Sequence, residues 1–68
     1  LAVVTLLEAT QKILPDGVLM QRAVWLMFGC VVQIVRYDGD NSSVIACVGR
    51  RAKQMPLSKV GKWIRERL

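Results

Sequence analysis

Between Ala23 and Val35 the chain carries one polar side chain, Gln33, and a run this apolar has few places to go in a protein of 68 residues. It must form the interior, face another chain or enter a membrane. The run is too short for the ~20 apolar residues of a spanning helix, and lengthening it toward the N-terminus brings in Gln21 and Arg22. Membrane spanning is therefore not expected. Nor does the stretch contain a basic leader followed by an apolar core and a small-residue cleavage site, so an intracellular setting, cytoplasmic or nuclear, is the expectation.

The rest of the composition turns the interior reading toward a partner. Hydrophobic residues make up 53% of the chain, slightly above the usual share of about 45–50%. A domain this small removes only roughly 60% of its unfolded surface from water. Apolar side chains are then left over, which points to a homo-oligomer, a homodimer in the simplest case, or to a protein partner. The chain is expected to be one domain over 1–68. Starting at Leu1 and stopping at Leu68 inside a helical pattern, it reads as a module of a longer protein.

Periodicity assigns the elements. Val3, Leu6, Leu7, Thr10, Ile13 and Leu14 recur at three-and-four spacing and predict a helix over 1–14, closed by Pro15, Asp16 and Gly17. Residues 18–28 predict a second, buried helix with Asp16 as its cap. From Cys30 the residues become β-branched. Val31, Val32, Ile34 and Val35 precede the cluster Asp38, Gly39, Asp40, Asn41 and Ser42, and Val44, Ile45 and Val48 follow it, the pattern of a β-hairpin apolar on both faces. A stripe of Leu57, Val60, Ile64 and Leu68 with Trp63 predicts a terminal amphipathic helix starting at Pro56 or Ser58. The expected fold class is α+β, in the order helix, helix, β-hairpin, helix, packed as a dimer through the hairpin. The alternative is an all-α chain of four short helices, because short apolar runs suit helix and strand alike.

Charge separates the two ends. In residues 50–68, Arg50, Arg51, Lys53, Lys59, Lys62, Arg65 and Arg67 face one acid, Glu66; in residues 1–49, Lys12, Arg22 and Arg36 face Glu8, Asp16, Asp38 and Asp40. The first group nets +6 and the second −1, which together give the formal +5 of the chain. A concentrated positive field draws polyanions. Several guanidinium and ammonium groups on a short segment can meet successive phosphates, so Arg50, Arg51, Lys53, Lys59, Lys62 and Arg65 are the candidate nucleic-acid contacts, sequence-independent and indifferent at this level to DNA or RNA. The blander reading is a solvated cationic face. Residues 52–58 are similar to the turn of a helix-turn-helix, with Ala52 in the first helix and Ser58 opening the second. Pro56 stands where that turn has glycine and Val60 falls about two positions early, so the motif is not assigned.

Catalysis has little to work with. The chain has no His, and its aspartates all fall in turn-like segments. Cys30 and Cys47 are too few for a metal site and sit among apolar residues, the setting of inert reduced thiols. Asp38 and Asp40 match only the first two positions of a calcium loop, with no glutamate at the twelfth. No enzyme activity, metal or cofactor is expected. Gly61 interrupts the terminal helix, and close approach of another backbone or a phosphate would explain it. Trp63 falls in register with Val60 and Ile64, so packing is its expected role, ahead of stacking on a base. The function expected is a small basic nucleic-acid-binding domain that self-associates through apolar surface. The alternative is an assembly domain whose basic end only solvates it.

Overall fold

The computed structural model describes residues 4–68. It is a five-stranded antiparallel sheet in strand order β1-β2-β3-β4-β5, followed by one turn of 3-10 helix at Leu57–Lys59 and a short helix α1 at Val60–Arg65. The strands are β1 Val4–Ile13, β2 Leu19–Met27, β3 Cys30–Tyr37, β4 Val44–Val48 and β5 Arg51–Met55. Neither the helix-helix-hairpin-helix arrangement nor the all-α alternative is correct. Of the three predicted helices only the last is present, and what the first would have contributed at residues 1–3 lies outside the described residues.

The first predicted helix is the strand β1, and its apolar residues do not line one buried face. Leu6 sits opposite Trp25 and Glu8 opposite Val24, so Leu7 is an extra residue, a bulge. One inserted residue moves the sheet-facing set from 4 and 6 to 9, 11 and 13. Of the helical stripe only Leu6 and Ile13 fall in that set, so the three-and-four spacing does not mark one face of β1. The second predicted helix is β2, a strand with neighbours on both sides, half-buried at nearly every position. Apolar residues stand on both of its faces, Trp25 and Met27 on one and Val24 and Leu26 on the other, so the alternation that marks a half-buried strand is missing. Pro15, Asp16 and Gly17 do not end a helix; they make the β1–β2 turn. There the Leu14 N–H donates to the Val18 carbonyl at 2.8 Å, the Gly17 N–H donates to the Leu14 carbonyl at 2.9 Å, and Asp16 Oδ1 accepts from the Val18 N–H at 3.0 Å.

Phe28 and Gly29 join β2 to β3 between the paired residues Met27 and Cys30, with φ of +51° and +81°. Two positive φ values in a two-residue loop are the signature of a type I′ turn. Phenylalanine is an unusual occupant of the first position, and this disguises the hairpin in the sequence.

The β3–β4 hairpin lies where its residues predict it, with Ile34 opposite Ala46. Its loop is tied at both aspartates. The Asp38 N–H donates to the Leu19 carbonyl at 2.8 Å while Asp38 Oδ1 accepts from the Leu19 N–H at 3.1 Å. Asp40 Oδ1 accepts from the Ser42 hydroxyl at 2.6 Å and the Ser42 N–H at 2.9 Å, which holds the Asp40 carboxyl below its ordinary value. Gly49, with φ +57°, and Arg50 then turn the chain into β5. Ala52 is a strand residue, and this removes the basis for a helix-turn-helix across residues 52–58.

Paired residues share a sheet face, so the core can be read from the register. Val32, Ile34, Val44, Ala46 and Met55 point to one face, where Val60 and Ile64 of α1 cover them; Met27 completes the buried set. Burying a Val or Ile side chain is worth about 1.5–3 kcal/mol, so this small cluster is the main hydrophobic contribution within the chain. The predicted helical stripe is shorter than expected, because Leu57 and Leu68 are exposed and only Val60 and Ile64 are buried. Among the described residues no element covers the other face of the sheet, and it presents Leu26, Val31 and Val35 among Arg22, Gln33 and Gln54. No helix among the described residues is long and apolar enough to cross a membrane.

Candidate polyanion-binding edge

The basic segment folds onto the β5 edge of the sheet. Arg51, Lys53 and Met55 alternate on the helix-covered side of β5, opposite Val48, Ala46 and Val44. Because β5 has no neighbour beyond it, Lys53 reaches past the sheet margin next to α1 while Met55 turns into the core. Pro56 then reverses the chain. The 3-10 turn brings Lys59, and α1 brings Lys62, to the same side as Lys53. The three lysines line one open groove of about 240 Å³ together with Met55, Trp63 and Glu66.

The six predicted contacts therefore do not form a single patch. Lys53, Lys59 and Lys62 converge on this groove. Arg50 stands in the β4–β5 turn and Arg51 at the adjoining start of β5, both exposed at one end of the strand. Arg65 belongs elsewhere: its guanidinium lies over the Phe28 ring, 4.9 Å from the centroid, on the β2–β3 turn. Arg67, which the sequence reading left out, lies over the Trp63 ring at 5.0 Å and so sits beside the groove. No sequence signal separated Arg65 from Arg67, since both are cations on the polar side of a short helix.

All six predicted residues are exposed, and the Arg22–Glu8 contact at 3.6 Å is the one ion pair among the described residues. The cations of residues 50–68 are thus not neutralised by neighbouring carboxylates. Three ammonium groups around a groove with one acid form a local excess of positive charge, and Trp63 lines the same groove.

Two further features bear on chemistry. Cys30 lies on the core face and Cys47, paired with Gln33, on the opposite face, so the two thiols point apart; both are free and half-buried. No group of three His, Cys, Asp or Glu side chains that could hold a metal occurs among the described residues. A second, more apolar groove of about 430 Å³ lies on the helix-covered face beyond α1, between Leu6, Ala9, Ala23, Trp25 and Leu57, with Gln21 and Arg36 at one end. Compared with known proteins, the chain matches no family model, no curated protein and no solved structure.

Proposed function

We propose that this domain binds nucleic acid through phosphate contacts at the β5 edge, with Lys53, Lys59 and Lys62 as the central contacts and Arg50 and Arg51 extending them along the strand end. The observation that carries the reading is the convergence of the three lysines from three separate elements on one groove, with no carboxylate paired to any of them. Arg67 and Trp63 border the same groove, whereas Arg65 is directed to Phe28 and has a packing role. The contacts are to backbone phosphate and carry no sequence preference. The domain acts by binding, without catalysis or a cofactor, and a nucleic-acid partner implies a cytoplasmic or nuclear setting.

The test is a fluorescence-anisotropy titration at low salt against duplex DNA, single-stranded DNA and RNA. The protein should bind at least one of them, and replacing Lys53, Lys59 and Lys62 with Gln should abolish binding while the circular dichroism spectrum is unchanged. Absence of binding to all three ligands would falsify the reading.

A second reading, assembly through apolar surface, is favoured by a different observation. Every residue of β1 is exposed, including Leu6, Leu7 and Ile13, and β1 supplies nothing to the buried core. The same surface gives self-association a location other than the β3–β4 hairpin, whose β3 is paired on both sides within this one chain.

A further inference from the structure

β1 is an edge strand, so half of its backbone N–H and C=O groups have no partner in the sheet, and the pattern of hydrogen bonds shows which half. The Leu14 N–H and C=O both point toward β2, to Val18 and Gly17. In a regular strand the inward residues then alternate back through Lys12, Thr10 and Glu8, and Ala9, Gln11 and Ile13 direct their backbone groups outward. The outward groups of Ala9 and Gln11, between exposed Leu7 and Ile13, form an open template for another strand.

We infer that the strand added there is β1 of a second copy of this chain, antiparallel, about a two-fold axis through Thr10. Charge complementarity selects the partner and the register together. With Thr10 opposite its own symmetry mate, Glu8 of each copy faces Lys12 of the other, so both charged residues of the strand are matched twice over. Thr10 becomes a non-hydrogen-bonded pair, and the outward groups of Ala9 and Gln11 exchange hydrogen bonds with Gln11 and Ala9 of the second copy, as the observed alternation requires. Glu8 already lies 3.6 Å from Arg22, so the new contact extends that pair into a three-membered row, Arg22, Glu8 and Lys12 of the second copy, on the open face. The same register sets Ile13, 64% exposed, opposite Leu7, 54% exposed, and so covers two of the most exposed large apolar side chains in the molecule. The two sheets become one continuous sheet of ten strands, and the lysine grooves, four strands away from β1 in each copy, lie at its two ends.

This inference deepens the assembly reading and does not depend on the polyanion site, so it is tested without nucleic acid. Sedimentation equilibrium at tens of micromolar should give twice the 7.6 kDa mass of the chain. Glu8→Lys sets Lys against Lys and Lys12→Glu sets Glu against Glu at both symmetry-related pairs, so each should raise the dimer Kd roughly 5- to 30-fold. An equimolar mixture of the two variants restores both opposite-charge pairs. Native mass spectrometry with one variant labelled with nitrogen-15 should therefore show the mixed dimer well above its statistical half share. Gln11→Pro removes an outward N–H without touching the core and should yield a folded monomer. The inference is overturned by a wild-type monomer at all concentrations, by a mixed dimer at or below the statistical share, or by a Gln11→Pro variant that still dimerises.

Discussion

The backbone N–H of Leu57 donates to the carbonyl of Asn41 at 2.8 Å, joining the start of the 3-10 turn to the β3–β4 loop. Asn41 also accepts, through Oδ1, from the Arg36 guanidinium, whose Nε donates to Gln21 Oε1 at 2.8 Å. The position of the lysine groove is thereby referred to β2 and β3 through one asparagine. Asn41→Ala keeps the backbone bond and removes the side-chain acceptor. It should cost about 1 kcal/mol, measured as a lower urea midpoint, and faster amide exchange at Leu57 should accompany it.

Salt separates the groove from the rest of the basic segment. If Lys53, Lys59 and Lys62 each neutralise one phosphate of duplex DNA, log K should fall against log salt with a slope near −2.7, from ~0.9 per contact. Lys59→Gln should reduce the magnitude of that slope by about 0.9. Arg65→Gln should leave it unchanged, because Arg65 is directed to Phe28. Equal effects of the two substitutions would contradict the division drawn here.

Trp63 is half-buried against the core cluster and also lines the lysine groove. Its packing predicts that Trp63→Ala loses about 2 kcal/mol, less than a fully buried aromatic, and melts roughly 8–16 °C lower. A variant with an unchanged melting temperature and lost nucleic-acid binding would assign the ring to the ligand instead.

Gly61 has nothing among the described residues within 4 Å of where a Cβ would stand, so none of them makes the close approach that the sequence suggested. Gly61→Ala should then stabilise the protein by about 1 kcal/mol through helix propensity alone. A thermal melt is the measurement, with a rise of roughly 4–8 °C expected. A fall would mean that a second molecule occupies that space.

Cys30 and Cys47, on opposite faces of the sheet, should remain reduced in air. Thiol titration without denaturant should proceed slowly at both, and the intact mass should show no loss of two hydrogens. A native disulfide would require the β3–β4 register to change.

The parts of the fold legible in the sequence are those where local chemistry and tertiary environment agree. Asp38, Gly39 and Asp40 announce the β3–β4 turn, and Val60 with Ile64 announces the terminal helix; both are present. β1 was hidden by apolar residues at helical spacing that do not share one face, β2 by apolar residues on both of its faces, and the β2–β3 turn by a phenylalanine in a position that usually takes asparagine. β5 offered no apolar alternation, because Arg51 and Lys53 share a side with Met55 while Ala52 and Gln54 take the other. That is also why the candidate site was only half legible. The excess of positive charge is plain in the composition, but which cations meet depends on Lys53 lying on an edge strand beside the helix, and periodicity carries no trace of that.

The strand order has a consequence for how the protein is made. Each strand pairs only with the one that precedes or follows it in the chain, so successive hairpins can form as they leave the ribosome. Yet Val32, Ile34, Val44 and Ala46 are buried only when Val60 and Ile64 arrive. During vectorial synthesis the nascent chain must carry an open apolar sheet until its basic helix emerges, and the closing step, with the lysines it brings, comes last.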